Sequence, residues 1–306
     1  MLQCSDHTRQ YMQSNAKANR RPSARVLPAA VVVAGTLLAH GVLPLVSSNY
    51  SFYDTCALDR RSIAVGRILL GAIVLKDLLS FRYSVIDFMY TGFWSRKHVL
   101  DGDDPQVQGN DFSPYLAVGG ATGMKICFFL VGIAAVAMMI GWRTHWSIFI
   151  CWFHTRAIHL RSSGTAQAGD QFLRLVLFWM MFLPCEQVYS LDSWSSHVPV
   201  QESNSSCSLA TFGVMVQVVM VYQFSSMFKV HEKWTSGSAV YYVLQNFGFA
   251  YGPVAEHLLE IPRACLSALT YGTLMIETTC PLFMFLTPQV RGVGVLVFIT
   301  FHTGLY

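Results

Sequence analysis

Two stretches of bilayer-crossing length, Val26–Val46 and Ala210–Phe228, contain no Asp, Glu, Lys or Arg at all. Two more are broken by a single ionisable side chain each: Tyr115–Gly141 by Lys125, and Ala264–Leu286 by Glu277. A helix needs about 20 mainly apolar residues to cross a membrane. In hydrocarbon the backbone must satisfy its own hydrogen bonds, which leaves helices and closed barrels as the spanning structures. Charged residues make up only 12% of the chain and hydrophobic ones 53%, against roughly 25% charged in a soluble domain. So little charge excludes a disordered chain, a nucleic-acid-binding domain and an ordinary cytosolic enzyme. The expected fold is all-α, a polytopic transmembrane helical bundle with about seven to eight membrane segments.

The remaining apolar segments are shorter or more mixed. Ser62–Leu79 carries Arg67 inside and Lys76-Asp77 near its end; Trp146–His159, Phe172–Leu183 and Gly292–Tyr306 follow the same pattern of apolar runs bounded by polar turns. Residues 230–262 are polar at first and then aromatic, which reads as an interfacial or re-entrant stretch. Phe93-Trp94, Trp142, Trp146, Trp179 and Trp234 stand at segment ends, where amphipathic rings favour the headgroup level. The net charge of +4 comes from Lys and Arg in the N-terminal tail and at helix ends, a distribution suited to membrane lipid and not to nucleic acid.

Three regions follow. Residues 1–25 are a polar basic tail, with Arg9, Lys17, Arg20, Arg21 and Arg25 against Asp6. Residues 26–56 hold an extra N-terminal segment that reads as a transmembrane anchor; an acid-poor basic leader is also the mark of a targeting segment. Residues 57–306 form the main membrane domain. Its last run is short of a full span, so the domain is expected to be truncated at its C-terminal end. The basic tail argues for a cytoplasmic N-terminus, which places the sequons at Asn49 and Asn204 on the lumenal side.

No metal site is expected. The cysteines have no C-x-x-C spacing, and Cys127, Cys151, Cys265 and Cys280 lie in or beside apolar runs, where they act as small hydrophobes. Cys185 and Cys207 share one polar loop, where a disulfide is open only if the loop is lumenal. Nucleotide, zinc-protease and serine-hydrolase motifs are absent.

Chemistry must then come from ionisable residues at membrane depth, which are costly to keep there. Arg67, Lys125, Arg156, His159, Arg174, Lys229, Glu277 and His302 qualify. A basic residue near a helix end ordinarily snorkels to the headgroups. Glu277 cannot reach far, and so should be protonated or paired with a cation such as Arg67, or meet His302. Lys229 closes its run, with Tyr222 two turns back and Ser225 one turn back on the same face. A partly desolvated lysine can act as a neutral base, although an interfacial anchor explains the same position. His159 and Arg161 stand two apart at a membrane rim, either as a proton relay and anion clamp or as a hydrated loop.

Five stretches in order carry a resemblance: Arg67–Gly71 with Lys76–Leu78; Ile140–Thr144; His159-x-Arg161 through Gly169-Asp170, Leu173-Arg174, Phe178–Pro184 and Ser190–Asp192; Gln217, Tyr222, Lys229, Trp234 and Gly237; and Glu277, Pro281, Pro288 and Phe301-His302. They resemble the HTTM domain, the membrane domain shared by the vitamin K-dependent gamma-glutamyl carboxylase and its relatives. The resemblance implies a multi-pass endomembrane (ER) protein and a lyase that adds carbon dioxide to a glutamate-containing peptide or protein, driven by vitamin K hydroquinone, a lipid-soluble quinone cofactor. It implies catalytic roles for Lys229 and His159, with Lys229 as the base, and a quinone pocket formed by Tyr222, Arg161, Trp234, Glu277 and His302. The alternative is a non-catalytic membrane or transport protein that keeps the scaffold. The chain departs from the carboxylase pattern in having Phe228 before Lys229, Ser162-Ser163 after His159-x-Arg161, and Leu305 after His302.

Overall fold

A computed structural model describes residues 56–82, 86, 113–118, 120–161, 168–196, 204–245 and 253–303. The described elements are helical apart from one two-residue strand pair, Leu58–Asp59 (β1) with Ser205–Ser206 (β2). The basic tail, the Val26–Val46 segment, Asn49, Ser162-Ser163 and Leu305 lie outside the described residues. Two compact units divide the chain: residues 51–217, and residues 1–50 with 218–306.

In the unit of residues 51–217, α1 (Arg60–Asp77) starts on Asp59, whose side chain accepts from Arg61 N. It runs on into a π-helical turn, Leu78–Arg82. A short 3-10 turn, Pro114–Leu116, precedes α2 (Ala121–Ile140). Then come α3 (Thr144–Arg161), α4 (Ala168–Met180), the short α5 (Leu191–Ser196) and the start of α6 (Leu209–Phe228). Helices α1, α2, α3 and α4 pack in sequence order, around a core that includes Met124, Phe128, Ala135, Met138, Ile148, Ile158 and Leu177. Small residues set the spacing. A Cβ on Gly71 of α1 would lie 2.6 Å from Met139 Cγ and 3.0 Å from Ala135 O of α2, so the two backbones approach as membrane helices do.

The opposite face of α2 is just as apolar. Ile126, Phe129, Leu130, Ile133 and Val136 are all exposed, which in water would make an unusually large apolar patch. Hydroxyls on these helices bond back to their own backbone, as Thr155 Oγ1 does to Cys151 O at 2.9 Å and Ser147 Oγ to Thr144 O at 2.9 Å. Both features suit a hydrocarbon surround. Among the described residues, α2 and α6 are long and apolar enough to cross a membrane. Each has 20 residues, about 30 Å of helix. Helix α1, by contrast, carries Arg60, Arg61, Arg67, Lys76 and Asp77.

One corner ties this unit together. Helix α2 ends on Gly141, whose φ of +71° is left-handed. Trp142 N donates to Ala137 O at 2.9 Å, the six-to-one closure that such a glycine permits. A Cβ at Gly141 would sit 2.5 Å from Arg67 Nη1 and collide with Ser190. Arg67 is fully buried. Its guanidinium donates to Met138 O (2.6 Å), Met139 O (2.9 Å) and Tyr189 O (2.5 Å), supplying a cation to carbonyls at the negative end of α2. Asp192 closes the turn from outside. Its carboxylate accepts from Arg143 N (2.9 Å), Thr144 N (2.8 Å) and Thr144 Oγ1 (2.7 Å). Burial opposes its charge, but these bonds outweigh burial and hold its pKa below the usual Asp value.

In the unit of residues 218–306, the end of α6 leads into α7 (Glu232–Thr235), α8 (Ala239–Leu244) and α9 (Pro253–Glu260). These short pieces occupy the stretch read from sequence as interfacial or re-entrant. Helix α10 (Arg263–Thr279), a 3-10 segment (Cys280–Phe285) and α11 (Pro288–Thr303) follow. The sequence suggests one run from Ala264 to Leu286; the structure breaks it at Thr279. Pro281 is the physical reason, because it has no N–H to offer the carbonyl of Glu277. Glu277 therefore stands in the last turn of α10 and not in mid-helix.

Candidate functional site

Helix α6 presents an inward stripe in the unit of residues 218–306. Tyr222, Ser226 and Lys229 fall at i, i+4 and i+7, so they line one face. Tyr222 Oη lies 2.9 Å from His302 Nε2, and the Phe298 ring packs edge-on against the Tyr222 ring at 4.8 Å. Phe301 stands 5.1 Å from His302, so the imidazole is set among aromatic rings. One turn on from Tyr222, the Ser226 hydroxyl is buried and has no hydrogen-bond partner among the described residues. Sequence spacing points to Ser225 as the hydroxyl beside Lys229; the buried one is Ser226.

At the end of the stripe, Lys229 Nζ pairs with Glu277 Oε2. The side chains are 18% and 11% exposed, so the pair is largely removed from solvent. The Trp234 ring centroid lies 4.8 Å from the ammonium, a cation–π contact that turns the chain from α6 into α7. Gln223 Nε2 donates to Thr278 O at 2.6 Å. That bond holds α6 against the open end of α10, one residue beyond the carboxylate.

Arg67 and Glu277, expected from the sequence to pair, belong to different units, and each is satisfied within its own. The Arg67 guanidinium serves the three carbonyls at the Gly141 corner, and Glu277 takes Lys229. His302 likewise meets Tyr222 and not Glu277. The physical reason is local. The end of α2 needs donors, and the arginine fork supplies them.

His159 and Arg161 close α3 in the other unit, 7% and 2% exposed. A hydrated loop is thereby ruled out for both, and Arg161 stands where a helix C-terminus favours positive charge. A further buried polar group lies near them. His154 Nδ1 is 2.7 Å from Tyr115 Oη, and the His154 ring packs edge-on against Phe128 at 5.3 Å. Ser113 Oγ donates to Ala157 O at 2.7 Å. Sequence reasoning missed His154, although it meets the criterion that selected His159, an ionisable residue inside an apolar run. Cys185 and Cys207 are both free thiols; Cys185 Sγ donates to Met180 O at 3.3 Å. Among the described residues no cluster of three or more His, Cys, Asp or Glu is arranged to hold a metal.

The HTTM domain family model matches residues 56–304. The chain belongs to the HTTM domain family. No curated protein and no solved structure matches it.

In this HTTM domain the Lys229–Glu277 arrangement has a definite chemical capacity. An amine and a carboxylate in contact hold one proton between them, on nitrogen as an ion pair or on oxygen as a neutral pair. Either form satisfies both groups. Tyr222 and His302 form a second two-member unit that can exchange a proton through one hydrogen bond, with the tautomer of His302 fixing the direction.

Proposed function

We propose that this HTTM protein is a multi-pass endomembrane enzyme of the carboxylase-like kind, a lyase with its working base at Lys229. The seven to eight membrane segments of the sequence reading, with residence in the ER, complete that proposal. The observation that carries it is the Lys229–Glu277 pair, 18% and 11% exposed, at the break between α6 and α7 in a domain of this family.

The residues fit a lipid-soluble hydroquinone. Phe298, Phe301, Trp234 and Tyr222 offer ring surfaces, and Ser226 offers a buried hydroxyl lacking a partner among the described residues. Held there, vitamin K hydroquinone would supply the strong base that a gamma-proton abstraction from glutamate and addition of carbon dioxide require. The protein's part is proton handling. Glu277 takes the Lys229 proton and leaves a neutral amine; that amine accepts a proton from a phenolic hydroxyl and becomes ammonium again. The pair gains one proton and the hydroxyl loses one. Tyr222, on the same α6 face, and its partner His302 on α11 carry a second proton in this reading. The substrate is a glutamate-containing peptide or protein, with membrane lipid as the surround. His159 and Arg161 belong to the proposal as a further proton carrier and an anion-binding group.

A second reading has its own support. A lysine held by a glutamate also serves as a clamp between α6 and α10, as expected of a non-catalytic HTTM scaffold. The deciding experiment supplies purified protein with reduced vitamin K, labelled carbon dioxide and a glutamate peptide. Label in the peptide that disappears in Glu277→Gln supports the enzyme. No label above a blank, from protein that is folded in lipid nanodiscs, leaves the clamp.

A further inference from the structure

Beyond Glu277, the N-terminal half of α10 supports a second structure that the proton chemistry does not use. Segment α7–α8 lies along it. Tyr271 Oη donates to Thr235 O at 2.9 Å, and Val240 N donates to Thr270 Oγ1 at 3.2 Å. Gly237, at φ +73°, makes the turn between them; a Cβ there would lie 3.0 Å from both Ser267 and the Tyr271 ring. Between α8 and the first turns of α10 is a cavity of about 390 Å³, bounded by Ser238, Tyr241, Tyr242, Gln245, Arg263 and Ser267 among others.

The charged group in the cavity wall is a cation, and a second cation stands against one of the wall's rings. The Arg263 guanidinium lies 5.2 Å from the Tyr241 ring centroid, and Lys233 Nζ lies 4.3 Å from that of Tyr242. Both rings line the cavity. Among the described residues neither cation has an ion-pair partner; the nearby Glu260 stands 3.7 Å from His257. Gln245 Nε2 donates to Tyr241 Oη at 2.8 Å and steadies that ring under its guanidinium. Serine hydroxyls, a side-chain amide and the Arg263 guanidinium in the wall, with the Lys233 ammonium over one of its rings and no carboxylate in the wall, suit an anion that offers several acceptor oxygens. A guanidinium matches phosphate as a fork, and an ammonium matches it as a point charge.

We propose that this cavity binds a phosphate ester, with a phospholipid headgroup as its source. Arg263 opens α10, which continues into apolar residues; Leu269 and Tyr242 are exposed beside the cavity. Charge, tyrosines and an adjoining apolar surface are the features of a site at headgroup level. The site is independent of the chemistry assigned to Lys229.

The test uses full-length protein in phosphatidylcholine nanodiscs with and without phosphatidic acid, and native mass spectrometry of the detergent-extracted protein to count retained lipid. Retention of phosphatidic acid over phosphatidylcholine is expected. It falls about five-fold in Arg263→Gln and again in Lys233→Gln, and Arg263→Lys keeps most of it. Both side chains lie on exposed residues, and circular dichroism confirms that the variants fold. Inorganic phosphate and glycerol phosphate form the second arm. Failure of either to displace the lipid supports the headgroup, and displacement at concentrations comparable to the lipid supports a soluble phosphate ester at the same site. Equal retention of the two lipids by the wild type with no binding of free phosphate, or retention unchanged in Arg263→Gln/Lys233→Gln, overturns the proposal.

Discussion

Replacing Arg67 by Met should strongly destabilise the unit of residues 51–217. The guanidinium makes three hydrogen bonds, at 2.6, 2.9 and 2.5 Å, and Arg67 is fully buried. Bonds to a charged group contribute about 1.5–3 kcal/mol each. Removing the cation also strands carbonyls at the end of α2. Against this, Met no longer carries the desolvation cost of a buried charge, so the net loss is about 3–5 kcal/mol. For a protein of this size that corresponds to a fall in Tm of roughly 6–20 °C. Arg67→Lys keeps the charge but not the fork, and should fall between the two. The assay is tryptophan-fluorescence melting in detergent, paired with hydrogen exchange. The amides of Trp142 and Asp192, which bond to Ala137 O and Gly141 O, should lose protection first. An Arg67→Met protein that melts within about 2 °C of wild type, with those amides still protected, would show that Arg67 does not hold this corner.

Gly141→Ala should cost about 2–4 kcal/mol, from the left-handed φ of +71° and the clash with Ser190 and Arg67; a melting curve checks it. His145, at the rim just before the apolar run that begins at Trp146, pairs with Glu186 Oε2 at 3.0 Å and faces Met181 O through Nδ1. The hydrogen bond to Glu186 holds its pKa above the ordinary value, against an opposing effect of burial. Its stabilisation is therefore complete below about pH 6.5, the unfolded value, and is lost as pH rises through the folded value. Because the side chains are 50% and 33% exposed, the difference between wild type and His145→Gln should stay below about 1 kcal/mol. Melting measured across that pH range tests the sign. Tyr222→Phe removes the bond to His302 Nε2 and should cost about 1 kcal/mol of stability. It should lower carboxylation far more than that loss of folded protein explains, as turnover compared with Tm would show.

The apolar helices were legible because charge-free length is a direct physical requirement of the membrane. The α6 run from Ala210 to Phe228 matches Leu209–Phe228 to one residue. The break in α10 was less legible. Pro281 signals it, but apolar composition continues through it and masks the change of backbone. The need for a cation at Glu277 was also readable, since a carboxylate at depth must find one. Which cation was not readable. Lys229 is 48 positions away, and Arg67 or His302 was expected instead because a count of charges does not reveal that the carbonyls of Met138 and Met139 need a donor. His154 was overlooked because its partner, Tyr115, comes from a different element, and a single helix pattern gives no sign of that bond.

In the proposed function Lys229 works by giving up and retaking a proton, and not by carrying charge. Lys229→Arg and Lys229→Ala, measured side by side for reduced-vitamin-K-dependent carboxylation, separate the two. Arginine retains a cation for Glu277 and for the Trp234 ring, yet it cannot become a neutral base. Both variants should be inactive, with Lys229→Arg folded and close to wild type in stability. An active Lys229→Arg protein would rule out the neutral base and leave Lys229 as an anchor.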